Sequence, residues 1–99
     1  MHKNLRSLID YSKDGIVSKE IFKTPKQNFT LFCMAKGTEL SEHTSTKEGV
    51  VYVIEGKGIF VLEKEEIVME PGKAIFLKNN AVHSLKAEEN TAFILLLTN

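Results

Sequence analysis

From Ile16 onward the chain is cut into short runs of mixed apolar and polar residues, with a turn signal after nearly every run. The runs are Ile16 to Phe22, Phe29 to Met34, Thr38 to Thr44, Val50 to Ile54, Ile59 to Glu63, Glu66 to Glu70, Lys73 to Lys78, Val82 to Ala87 and Thr91 to Thr98. Between them stand Thr24-Pro25-Lys26-Gln27-Asn28, Gly56-Lys57-Gly58, Lys64-Glu65, Pro71-Gly72, Asn79-Asn80 and Glu88-Glu89-Asn90. Alternation with period two marks a strand with one buried face, and proline or glycine in the gaps supplies the backbone angles a tight turn needs. Short strands with turn signals at intervals of roughly 8–12 residues predict an all-β sandwich or barrel and exclude a helical bundle or an α/β domain.

The alternation also predicts faces. In the second run Phe29, Leu31 and Cys33 share one face, and Thr30, Phe32 and Met34 the other. Apolar side chains on both faces imply cover on both sides. Val51 and Val53 share a face with Gly49, which puts Tyr52 on the opposite, outer face, where Phe32, Met34 and Ile54 are expected to join it as a contact surface. Cys33 reads as a small buried hydrophobe. Ahead of the strands, Leu5, Leu8 and Ile9 recur at helical spacing within Asn4 to Tyr11, a segment too short to be stable unless it docks.

Composition narrows the function classes. Lysine plus arginine equals aspartate plus glutamate at 13 each, so no overall field draws the chain to nucleic acid or an acidic membrane. The longest apolar run, Ala92 to Leu97, has the length of a strand and not of a membrane span. The lone Cys33 excludes an internal disulfide and fits a reducing cytoplasm. With 99 residues the chain is expected to form one domain with a limited core, for which association into a homodimer is a route to stability.

Two histidines carry the functional signal. His43 lies in GTELSEHTSTKEGVVYVIEGKG, from Gly37 to Gly58, and His83 in PGKAIFLKNNAVHSL, from Pro71 to Leu85. Both interrupt alternating runs at places where a buried apolar residue is expected. These stretches resemble the two motifs of the cupin family. Gly37, His43 and Gly56 fall on the spacing of the first motif; Ser45 stands at its second histidine position, and Gly49 at its glutamate position, with Glu48 one residue early. His83 matches the histidine of the second motif, and Lys78 and Asn80 stand where its proline and glycine would be.

The resemblance implies a small antiparallel jelly-roll β-barrel spanning residues 1–99, with the N-terminal segment, 1–15, packed on the barrel or on a dimer partner. It also implies that His43 and His83 point inward from neighbouring strands as metal ligands for a weakly bound divalent transition metal. A catalytic metal site ordinarily has three protein ligands and an open position, and here two residues supply imidazole, Ser45 a weak donor and Gly49 none. Without a metal, two imidazoles near neutrality can bind an anionic or carbonyl ligand, or act as acid and base.

Three readings follow. The first, which the sequence favours, is a small-molecule-binding barrel whose pocket is lined by His43, Ser45 and His83; it expects an open cavity faced by both imidazoles, as opposed to a barrel packed solid by Val51, Val53, Phe60 and Phe76. The second is a metal-dependent oxygenase or isomerase using His43 and His83. The third is a non-catalytic module acting through its dimer surface.

Overall fold

A computed structural model describes all 99 residues, Met1–Asn99. Nine antiparallel strands form: β1 (Ile16–Lys23), β2 (Gln27–Met34), β3 (Glu39–His43), β4 (Glu48–Glu55), β5 (Gly58–Leu62), β6 (Glu65–Met69), β7 (Ala74–Leu77), β8 (His83–Ala87) and β9 (Thr91–Thr98). They pair as a five-stranded sheet, β1-β2-β9-β4-β7, facing a four-stranded sheet, β3-β8-β5-β6. This is the antiparallel jelly-roll barrel the sequence predicts. Each expected run contains a strand, and β2 and β6 begin inside the expected turns, at Gln27 and Glu65.

The turn chemistry explains the punctuation. Gly56 takes φ +103°, and a Cβ there would collide with the Asn90 carbonyl oxygen, so only glycine fits between β4 and β5. Asn80 has φ +66°. Asparagine is among the few residues with a side chain that tolerate this left-handed region, which is why it can stand at the motif's glycine position. Thr91, wholly buried, ties two turns together: its hydroxyl accepts from the Lys57 N–H at 3.1 Å and lies 2.7 Å from the Glu89 carbonyl.

The core lies between the sheets. Val51 and Val53 of β4, Phe60 of β5, Leu77 of β7, Leu85 of β8 and Phe93 of β9 are buried there. Phe32 and Met34 also face this interior, contrary to their expected place on the outer surface. Register gives the reason: β2 pairs with β9 so that Phe32 sits opposite Phe93, and the two rings stack at 5.2 Å between the sheets. Both faces of β2 are apolar, so alternation could not tell inside from outside. Phe76, one of the four residues that would pack a solid barrel, faces outward and is 53% exposed; its neighbours Ile75 and Leu77 turn in.

A second cluster lies on the outer face of the five-stranded sheet, where Ile21, Leu31, Cys33, Ile54, Ala92 and Ile94 are covered by Leu5, Leu8, Ile9 and Tyr11. The N-terminal segment therefore docks on its own barrel. Its helical part is a single 3-10 turn, Arg6–Leu8. Polar ties hold it: Tyr11 donates to Glu55 Oε2 at 2.7 Å, and Lys19 Nζ donates to the Leu8 carbonyl at 2.8 Å. Burial and the adjacent Glu55 carboxylate both push the Tyr11 phenol upward, keeping it protonated as the donor. Cys33 is fully buried beneath this cover, and burial raises its thiol, which suits an inert packing role. No helix is long and apolar enough to cross a membrane.

Candidate functional site

β3 and β8 bring the two histidines together. They are direct cross-strand partners, with ring centroids 4.1 Å apart and planes inclined at 63°. A bulge makes this possible. Leu40 pairs with Leu85 and His43 with His83, so β3 uses one more residue than β8 across the interval. Strict alternation would put Leu40 and His43, three apart, on opposite faces; the extra residue in Ser41-Glu42 restores His43 to the face of Leu40. Glu42 is left exposed.

Both side chains open on a cavity of about 170 Å3 between the sheets. Its other walls are apolar: Phe32, Phe93 and Leu95 from one sheet, Leu40, Phe60 and Leu85 from the other, with Val51 and Leu77. His83 is buried and lies deep, its ring stacked on Phe60 at 5.7 Å with planes 5° apart. His43 is exposed and marks the mouth.

Hydrogen bonds fix the tautomers. His43 Nδ1 lies 2.6 Å from the Ser41 carbonyl, and His83 Nδ1 lies 2.9 Å from the Ala81 carbonyl. A carbonyl oxygen only accepts, so each Nδ1 carries the proton and each neutral ring keeps Nε2 as a bare acceptor. Burial pushes the His83 pKa below its ordinary value; the bond to Ala81 works the other way, and His43 beside it lowers it again. His83 is thereby held neutral.

Ser45 is not part of the cavity wall. It stands in the β3–β4 connection, where its Oγ accepts from the Lys47 N–H at 3.1 Å. Glu48, at the start of β4, is exposed. Gly49 is buried, and a Cβ added there would lie 2.8 Å from Leu97 Cδ2 and 3.6 Å from Leu95 Cδ1. The space a carboxylate at residue 49 would enter is filled by leucine.

These residues can be tested against the metal centre that the motif spacing implies. An imidazole that donates Nδ1–H to a carbonyl is oriented as a metal ligand would be, so His43 and His83 could supply two ligands through Nε2. No group of three or more His, Cys, Asp or Glu residues is placed to hold an ion, and leucine occupies the third position. The site does not fit a metal held by three protein ligands. It fits a small apolar pocket with two acceptors in its wall.

Sequence reasoning found both histidines but missed Leu40, Leu95 and Leu97. The odd spacing between Leu40 and His43 is the signal that reveals the bulge, since two inward residues three apart need a phase shift. Leu97 was hidden because its effect depends on register with Gly49 across β9.

Comparison with known proteins agrees with this architecture. The chain is 26% identical over 81 residues to the uncharacterised protein MJ1618 of Methanocaldococcus jannaschii, a match covering 76% of this chain and 65% of that one. It thus spans slightly less than two thirds of that relative's length. In structure it is similar to a cupin 2 conserved barrel domain protein from Leptotrichia buccalis, with 28% identity, a TM-score of 0.91, and coverage of 98% of this chain and 47% of that one. A protein of unknown function from Streptococcus pyogenes shares the fold at 20% identity, with a TM-score of 0.89 over 100% of this chain and 87% of that one. The family model described as Cupin domain matches residues 30–99, which take in both histidine motifs and eight strands in whole or part. On that match and the two facing sheets, the chain belongs to the cupin family.

Proposed function

We propose that this cupin binds a small molecule in the cavity between its sheets, with His43 and His83 as the polar contacts. The supporting observation is the apolar cavity of about 170 Å3 that both imidazoles line. Ser45 is left out of the ligand contacts because it does not line the cavity. The rival reading, a metal-dependent oxygenase or isomerase, has two imidazoles in its favour and lacks a third ligand.

The test is a nuclear magnetic resonance screen of small organic molecules against the protein and a Leu95→Phe variant that fills the cavity. Binders should shift resonances of Phe60, Leu85 and His83 in the natural chain and lose affinity in the variant. Binders that are indifferent to Leu95→Phe would contradict the reading.

We further propose that two copies associate through the β7 edge. Of the four sheet edges, β1 carries Lys19, Glu20 and Lys23 with a register shift, β3 carries Glu39, Glu42 and the bulge, and β6 carries Glu65 and Glu66. Charges and bulges are the devices that keep an edge from pairing. β7, Ala-Ile-Phe-Leu, has neither. Beside it Val50, Tyr52 and Phe76 remain exposed on the outer face.

A further inference from the structure

Resting on the cavity as the ligand site, we propose that its ligand is a small uncharged molecule with an apolar ring-sized body and one hydroxyl or N–H donor, phenol being the type compound. Three observations converge. The first is size. A dry cavity of about 150 Å3 walled by leucine, isoleucine and phenylalanine is large enough for one benzene molecule. This one, at about 170 Å3, holds a ring with one substituent.

The second is the wall. Eight of its ten lining residues are hydrophobic, and the other two are His43 and His83. The third is the direction of the hydrogen bonds. Both Nδ1–H groups are spent on the Ser41 and Ala81 carbonyls, so the only free polar atoms the two imidazoles offer are acceptors. A carboxylate or phosphate would leave water to face lone pairs and hydrocarbon. A ketone or ester has no donor to give. A plain hydrocarbon fills the space but leaves the acceptor of His83 dry, and a buried acceptor without a partner is costly. A hydroxyl satisfies it. His83 is the recipient because it is buried, whereas His43 is exposed at the mouth and keeps access to water. The anionic or carbonyl ligand that the histidine pair suggests from sequence is therefore replaced by a donor.

Titration of the full chain at neutral pH with toluene, phenol, benzaldehyde and benzoate, followed through the imidazole nitrogen resonances, tests this. Phenol should bind about fivefold tighter than toluene, the worth of one net hydrogen bond, and should shift the His83 Nε2 resonance. Benzaldehyde should bind no tighter than toluene, and benzoate more weakly than either. In His83→Phe the advantage of phenol over toluene should vanish; should that variant not fold, the four-probe ranking in the natural chain decides alone. Toluene and phenol binding equally would overturn the donor assignment while leaving the cavity as a ligand site. Benzoate or benzaldehyde ranking first would overturn it likewise. Failure of every probe to enter would overturn the ligand reading itself.

Discussion

His43 and His83 face each other across β3 and β8 with ring centroids 4.1 Å apart, and each is locked through Nδ1 to a carbonyl two residues before it. The pair is a preorganised wall of a cavity, and the burial of His83 within it has a consequence for stability. Burial lowers the His83 pKa in the folded state, so between that value and the ordinary 6.5 the unfolded chain binds more protons. The stabilisation is complete above pH 6.5 and is lost as pH falls through the lowered folded value. Urea midpoints measured across this range should fall on acidification, and His83→Phe should flatten the slope. A natural chain with equal midpoints on both sides of that window would contradict the account.

The bulge in β3 is what aims His43 inward. Deleting Glu42 should remove the bulge and leave Leu40 and His43 two residues apart, in regular alternation on the same inward face, with the barrel retained because β8 still pairs with β5. Proton–proton contacts between the two imidazoles should persist in the nuclear Overhauser spectrum. Their loss would show that something other than the extra residue sets the phase.

Gly49 marks the place of one of the two missing ligands, Ser45 the other. Gly49→Ala should destabilise the fold by about 1–3 kcal/mol through overpacking against Leu97. Gly49→Ala combined with Leu97→Ala should cost less than the sum of the two single changes, since the second removes the side chain 2.8 Å from the added Cβ; the Leu96 carbonyl oxygen, 3.0 Å away, limits the relief. Strict additivity in denaturant unfolding would argue against leucine as the occupant.

How much of this was readable beforehand depends on whether the information is local. Strand positions and turns were legible because alternation, Pro71-Gly72 and Gly56 act within a few residues. The two histidines were legible from motif spacing. The inward face of Phe32 and the outward face of Phe76 were not, because β2 is apolar on both sides and the choice rests on pairing with Phe93 and burial of Ile75 and Leu77. The loss of the third ligand could be read as Gly49, but its filling by Leu97 comes from the far end of the chain. The tautomers, which decide what the pocket accepts, arise from backbone carbonyls that no residue type announces.

Thr91 offers an independent check on the turns that frame the site. Thr91→Val keeps the shape and removes the hydroxyl that accepts from the Lys57 N–H. The expected loss is about 1 kcal/mol, the net worth of a partly buried hydrogen bond. An unchanged thermal midpoint would show that water reaches this N–H.

The proposed association predicts a homodimer in sedimentation at micromolar concentration and a monomer for Phe76→Lys, which puts a charge beside the β7 edge. A natural chain that sediments as a monomer would remove the proposal. A Phe76→Lys variant that remains dimeric would place the contact elsewhere.

The most direct test of the central claim is an intermolecular nuclear Overhauser experiment with phenol bound to the isotopically labelled chain. The account predicts contacts from the ring protons of the probe to His83, Phe60 and Leu85, in the interior between the sheets. Contacts confined to Tyr52, Val50 and Phe76 on the outer face would contradict it, because the molecule would then be bound on the surface and the histidine-walled cavity would not be its site.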